Sequence, residues 1–415
     1  MAKKTNLITV LDIGASKTCA MIAELNTDSM RVLGAGVAPT EGYKRAVVTS
    51  ISDLVESIRN SVQEAERQAA VGIESVFVAV AGSQLQGMNG NGVIPIRNKN
   101  REVTRSDIYG AIDAARNFKI PEGMVVIHVL PQEFTLDGQS GISDPLGMMG
   151  EELGVRIHVI VNTASTVQNI INVINKSGLI VAGTVMPQLA AAMAVLTWDE
   201  KDLGTAVIDI GGGTTDVAVY LHGTLCHSET IPMGGQHFTK DISVGIRTPL
   251  AEAEKLKREH GCAEASLVAL EELLEVSSLA GTSMRLISRE MLCQVIQARA
   301  EEVFTLVQKK IDSWQCRREL VAGAVLTGGM SLVQGMDAVA ERILGMPVRP
   351  GIPVELPGLD ESWSAPEYAT TVGLLLYAQE ARTVGSQKMI RPEVARGLFD
   401  KASGKMRHWF LNLLT

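Results

Sequence analysis

Short continuous apolar blocks, punctuated by glycine, alternate along the chain with longer segments whose apolar residues recur three and four positions apart. That alternation predicts buried strands interleaved with amphipathic helices, an α/β organisation. Leu54, Val55, Ile58, Val62 and Ala65 share one helical face behind a cap at Ser52, and Val167, Ile170, Ile171 and Ile174 form another before Gly178 stops the turn. A longer helix is predicted over 288–314, with Met291, Leu292, Val295, Val303, Phe304, Val307 and Ile311 on its inner stripe. Strands predicted over 75–81 and 124–130 bracket a Gly/Asn-rich stretch at 87–92, read as a turn, and a helix opened by Thr104 with Asp107 three residues on. The block 84–163 reads as an inserted subdomain.

Two segments repeat each other half a chain apart. Leu-Asp-Ile-Gly-Ala-Ser-Lys-Thr occupies 11–18, and Ile-Asp-Ile-Gly-Gly-Gly-Thr-Thr occupies 208–215. Each follows an apolar run and precedes an alternating one, the pattern of a strand, a tight glycine turn and a returning strand. Duplication into two similar lobes is the economical reading.

Composition narrows the function classes. At 415 residues and 46% apolar content, the chain can bury several domain-sized cores. A net charge of -8 with 4% aromatics argues against extended nucleic-acid contact, which needs phosphate-facing cations and rings for stacking. Cys19, Cys226, Cys262, Cys293 and Cys316 stand singly, so neither a zinc site nor a disulfide framework is indicated. The first ten residues hold two lysines but no long apolar core, so no secretory leader is expected. Residues 177–198 carry no charge, yet Pro187 and Gln188 interrupt them, and a strand followed by an Ala-rich buried helix is expected in place of a membrane span.

The hairpin turns carry the candidate chemistry. Gly14, Ala15 and Ser16 in one, and Gly211, Gly212, Gly213, Thr214 and Thr215 in the other, leave room for main-chain N–H groups to converge on an anion. Asp12 and Asp209, each at a strand end before its turn, are placed to organise Mg²⁺ through water, and Lys17 can neutralise phosphate charge. A third glycine site, Gly328, Gly329 and Met330, follows an apolar strand at 324–327 and precedes a helix expected over 331–339. There a flat purine can lie on bare backbone.

These three turns, in this order, resemble the phosphate-1, phosphate-2 and adenosine loops of the actin, sugar-kinase and heat-shock-70 superfamily. Segments 185–196 and 369–376 resemble its two connecting helices. Within that superfamily, 230–235, 251–261 and the block 84–163 resemble the bacterial FtsA family of cell-division proteins. The resemblance implies an actin-like two-lobed α/β fold with duplicated ribonuclease-H-like domains. Subdomain 1A would take 1–83, 164–192 and 369–385; an inserted 1C, 84–163; 2A, 193–235 and 311–368; and 2B, 236–310. It implies ATP and Mg²⁺ as ligands. Gly234 would lie beside the phosphates, Glu254 would hold the ribose, Lys257 would flank the adenine, and Gln188 would orient a water at the γ-phosphate. Turnover would be slow or negligible. Implied partners are the acidic C-terminal peptide of FtsZ, met by Arg285, Arg289 and Arg299; further copies of the chain in an actin-like polymer; and later division proteins at 1C. A sugar- or acetate-kinase-like phosphotransferase and a pilus-assembly actin-like protein stand as alternatives.

The last residues add a membrane. Met406, Trp409, Phe410, Leu413 and Leu414 fall on one helical face, with Lys405, Arg407, His408 and Asn412 around the other. The stripe is too short to span a bilayer. Basic, aromatic and preceded by a tether-like stretch at 386–404, it suits a helix at 405–414 lying on an anionic membrane surface. FtsA proteins end in such a helix, which implies a peripheral protein on the cytoplasmic face at the division septum.

Overall fold

The computed structural model describes residues 7–26, 29–117, 119–269, 271–279 and 284–383. The repeated motifs fold into hairpins with the same closure. Leu7–Ile13 pairs antiparallel with Lys17–Leu25, and Thr205–Ile210 with Thr215–Leu221. In one, Asp12 faces Cys19; in the other, Asp209 faces Asp216. The Gly14 N–H donates to the Lys17 carbonyl at 3.0 Å, as Gly211 does to Thr214 at 2.9 Å.

Each hairpin seeds a sheet of the same topology. The first runs Ile180–Val185, Ser75–Ala79, Leu7–Ile13, Lys17–Leu25, Met30–Pro39; the second runs Val348–Pro350, Ala324–Thr327, Thr205–Ile210, Thr215–Leu221, Thr224–Ile231. In both, three antiparallel strands are extended by two parallel ones beside the first hairpin strand. This is the duplicated ribonuclease-H-like plan of an actin-like α/β fold. Each half has its own core. One gathers Leu11, Met21 and Leu54; the other gathers Ile208, Phe238 and Phe304 on the helix Arg289–Ser313.

The second sheet continues. Gln86–Pro95, Glu152–Thr163, Met124–Leu136 and Gln139–Ile142 extend it, joined through the single pair Gln86–Glu229. With the helix Arg105–Ala115 and a core around Ile112, Leu153 and Ile157, these strands form the inserted block. The insertion therefore interrupts the first half in sequence and joins the second half in space. The junction is polar. His158 Nδ1 donates to Asn89 Oδ1 at 2.6 Å and its Nε2 accepts from Ser228 Oγ at 2.9 Å, while the Gln132 amide donates to the carbonyls of Leu225 and Cys226. Accepting through Nε2 needs a neutral imidazole, and burial, with a smaller push from His227, holds the ring down to about 3.

Several local expectations are corrected. The 87–92 stretch is strand, not turn. A Cβ on Gly87 would sit 2.2 Å from the His158 ring, and one on Gly92 would meet the Ala115 backbone nitrogen at 2.2 Å, so these glycines admit close neighbours. Ser50, not Ser52, caps the helix Ile51–Ala69, its Oγ accepting from the Asp53 N–H. After Gly328 the chain makes a single 3₁₀ turn, Gly329–Leu332, and the α-helix begins only at Met336, because Gly335 adopts the left-handed region.

Residues 180–195 form a strand and the Ala-rich helix Pro187–Val195, and no helix among the described residues is long and apolar enough to cross a membrane. All five cysteines are buried free thiols. The helix Pro187–Val195 packs against Ala369–Thr383 so closely that a Cβ on Gly373 would lie 1.8 Å from the Ala190 carbonyl oxygen.

Candidate functional site

The three glycine turns meet where the halves join. A Cβ on Gly212 would fall 2.4 Å from Ser16 Oγ, and one on Gly213 would fall 3.0 Å from Ala15 Cβ, so the tips of the two phosphate-type turns touch. Gln236 crosses between halves, its Nε2 donating to the Ala15 carbonyl at 3.1 Å. The helix Gly235–Ile246 abuts the second turn end-on: Gly235 and Gln236 N–H groups donate to the carbonyls of Gly211 and Gly212, with Gly234 packed on Thr214 N. A helix N-terminus beside this turn adds a partial positive charge where an anion would sit. Thr215 is buried and donates its hydroxyl to the Met233 carbonyl.

The third turn lies alongside because Ala324–Thr327 runs parallel to Thr205–Ile210. Gly328 has φ +85°, and its missing Cβ would collide with Asp209 Oδ1 at 2.2 Å, so both conformation and space call for glycine. Met330 and Lys257 converge on Gly235, where a Cβ would be 3.2 Å from Met330 Sδ and 3.5 Å from Lys257 Nζ. Lys257 is buried and donates to Glu254 Oε2 at 2.7 Å, Thr239 Oγ1 at 2.9 Å and the Gly235 carbonyl.

Three carboxylates are sunk in this junction. Adjacent threonines at the start of the helix Ala369–Thr383 each hold one: Thr371 donates to Asp12 Oδ2 at 3.0 Å and Thr370 to Asp209 Oδ2 at 3.2 Å. Asp216 accepts from Thr230 at 2.5 Å, Gln188 Nε2 at 2.7 Å and Thr214 at 3.2 Å. Burial pushes Asp12 above the usual carboxylate range, against the pull of Thr371 and Lys17. It drives Asp209 to about 7, with repulsion from Asp216 and Asp12, and Asp216 to about 6 against its two threonine bonds. Among the described residues no group of three acidic, His or Cys side chains is arranged to grip a metal directly. The buried negative charge suits a hydrated divalent cation, held through its own waters.

Gln188 is 1% exposed; its amide N–H groups are taken by Asp216 and Thr230, while its Oε1 has no partner. Lys17 lies beside the first turn with Nζ 3.0 Å from Glu367 Oε2 and 3.3 Å from the centre of the Tyr368 ring.

The arginines stand apart from this junction. Arg289 pairs with Glu272, Arg299 with Asp241 and Glu302, and Arg285 lies exposed on the strand Met284–Ser288, its guanidinium donating to the Arg247 carbonyl. The candidate membrane residues Lys405, Met406, Arg407, Trp409, Phe410, Leu413 and Leu414 lie outside the described residues.

Asp216, Thr370, Thr371 and Glu367 escaped sequence reasoning. Superposing the two hairpin motifs places Asp216 opposite Asp209 by register, a signal available in the repeat itself. The threonine pair could have been found at the head of the second expected connecting helix.

Comparison with known proteins adds independent findings. A family model described as cell division protein FtsA matches residues 206–373, and one described as the SHS2 domain inserted in FtsA matches 82–161. The chain is 39% identical over 380 residues to the cell division protein FtsA of Pseudomonas aeruginosa, covering 91% of each chain. It is 35% identical to that of Escherichia coli K12, covering 94% of each, and 33% identical to that of Bacillus subtilis, covering 90% of this chain and 84% of the relative. Among solved structures, a PilM–PilN type IV pilus biogenesis complex aligns with TM-score 0.63 at 17% identity over 89% of this chain and 98% of the other. MreB5 of Spiroplasma citri bound to ADP aligns at 0.55 and 15% identity, over 92% and 99%.

Proposed function

Because the chain belongs to the FtsA family of cell-division proteins, we propose that it is an actin-like switch of the division machinery. It binds ATP with Mg²⁺ between its halves and polymerises on the cytoplasmic face of the cell membrane at the septum. There it tethers FtsZ filaments and receives later division proteins on the inserted block.

The observation that carries this reading is the convergence of three glycine turns and three carboxylates, Asp216 buried and Asp12 and Asp209 half-buried, at one junction. Main-chain amides of the turns around Gly14 and Gly211 would take phosphate oxygens, with Lys17 as counter-charge. Gly328, Gly329 and Met330 would underlie the base, and Glu254 and Lys257 would flank the ribose and adenine. Bound Mg²⁺ would neutralise phosphate charge; Asp12 and Asp209 would hold its waters. Gln188, anchored by Asp216 and Thr230 with a free carbonyl oxygen, is suited to accept a hydrogen bond from a water.

Of the three arginines, Arg285 is the one whose guanidinium holds no carboxylate among the described residues, so it is best placed to meet an acidic peptide. Weak anchoring by one short terminal helix becomes stable when a polymer presents many tails.

Titration with ATP, with and without Mg²⁺, tests the switch. Saturable, magnesium-dependent binding is expected, and no binding at millimolar ATP would refute it. Liposome flotation of the full chain beside Trp409→Glu tests the anchor. The variant is expected to stay unbound while its nucleotide affinity is unchanged, and continued flotation would sink that assignment.

A further inference from the structure

Lys17 has an unusual setting for the cation of a phosphate site. Its Nζ lies 3.0 Å from Glu367 Oε2 and 3.3 Å from the centre of the Tyr368 ring, and that ring packs at 4.4 Å on Trp363. The ammonium thus has an anion and an aromatic face, yet its buried nitrogen makes no aligned hydrogen bond. Its N–H donors remain available for oxygens of better geometry.

The counter-ion sits on a segment that matters. The carbonyl of Pro366, next to Glu367, accepts from the Gly328 N–H at 3.2 Å and from Thr327 Oγ1 at 3.1 Å, so this segment supports the third glycine turn. A Cβ on Gly329 would come within 4.0 Å of Glu367 Oε2. The Lys17–Glu367 contact therefore ties the first turn, in one half, to the backing of the third turn, in the other.

We propose that Glu367 is an internal anion that occupies Lys17 when the nucleotide site is empty and is displaced by an incoming polyphosphate. Its carboxylate and the phosphates compete for one ammonium, so Glu367 weakens nucleotide binding. The Tyr368 face keeps Lys17 seated in either state. Displacement also cuts the link between the turns, which couples occupancy to how the halves meet. The inference rests on the nucleotide reading above.

The test is ATP–Mg²⁺ affinity of the full chain for wild type, Glu367→Gln, Lys17→Met and the double variant, each checked for an unchanged circular-dichroism melt. Glu367→Gln preserves the backbone that holds Gly328 and most of the side-chain volume. It is expected to tighten binding about three- to tenfold, the range set by releasing one largely covered ion pair and one opposing charge. Lys17→Met should weaken binding, and in that background Glu367→Gln should recover clearly less than it gains alone, because no ammonium is left to free.

A Glu367→Gln affinity equal to or weaker than wild type overturns the proposal, as does an equal gain in both backgrounds, which would leave only bulk repulsion. Should Glu367→Gln fail to fold, Glu367→Ala takes its place under the same criteria. If wild type itself binds no ATP, the nucleotide reading fails first, and the two failures are told apart.

Discussion

Removing the charge of Asp209 should stabilise the protein while disabling its site. The unfolded chain gives up this proton near pH 3.8, whereas the folded chain keeps it to about 7, because burial and the charges of Asp216 and Asp12 oppose ionisation. Between those values the folded state binds more protons than the unfolded one. Stability therefore falls as pH rises from about 4 to 7 and stays reduced above that. At roughly 1.4 kcal/mol per pKa unit, the full cost above pH 7 is about 4 kcal/mol, with about half already present at pH 5.5.

Asparagine removes this cost and keeps an oxygen to accept from Thr370. Urea unfolding of nucleotide-free Asp209→Asn and wild type at pH 5.5 and 8 should show the variant more stable at pH 8, and its advantage larger there by about 2 kcal/mol. The same variant should lose the magnesium dependence of ATP binding. A stability difference independent of pH, or a variant weaker than wild type at pH 8, would refute the electrostatic account.

Two further outcomes follow from contacts already described. Gly87→Ala forces a methyl into His158 and Ser228 at the joint of the inserted block; a loss of about 1–3 kcal/mol is expected by urea unfolding, with faster amide exchange across 86–95. Lys257→Met strips Glu254 and Thr239 of their buried cation, and equilibrium titration should show ATP affinity lowered by about tenfold, given what a hydrogen bond to a charged group contributes.

How much of this could be read from the sequence depends on the range of the interaction. The hairpins at 11–18 and 208–215 and the capping box at Thr104 are local, so residue types alone specify them. The duplication is legible for the same reason, since two copies of one local motif fold alike. Asp216 acts through strand register, legible only when the two hairpin motifs are overlaid, whereas Thr370 and Glu367 reach the site from segments far along the chain, so local spacing does not assign their partners. Glycine is ambiguous at short range. At 87–92 it admits the His158 ring and a neighbouring helix, yet it writes the same letters as a turn. The helix misplaced at Ser331 fails likewise, because Gly335 sets the start only through its left-handed backbone.

The strongest geometric constraint on the site is where two helices cross behind it. Thr370 grips the aspartate of one half and Thr371 that of the other, so a single helix holds both Asp12 and Asp209 in place. That helix reaches them because Gly373, one turn on, lets it seat against the Ala190 carbonyl. A methyl there would stand 1.8 Å from the oxygen and 2.4 Å from its carbon, well inside contact distance, and both obstacles are backbone that no rotamer change can move. Gly373→Ala must therefore push the helices apart by more than about 1 Å, which lengthens both threonine bonds beyond useful geometry. A loss of about 3 kcal/mol or more is expected, at the upper end for overpacking, together with weakened ATP–Mg²⁺ binding. Gly110→Ala is the matched control. It too is helical, but its methyl would meet only the mobile end of Ile94 at 3.2 Å, and the gain in helix propensity should leave stability unchanged or slightly raised. If Gly373→Ala melts like Gly110→Ala and binds nucleotide normally, the crossing does not position the aspartates, and the threonine pair has to be assigned to packing alone.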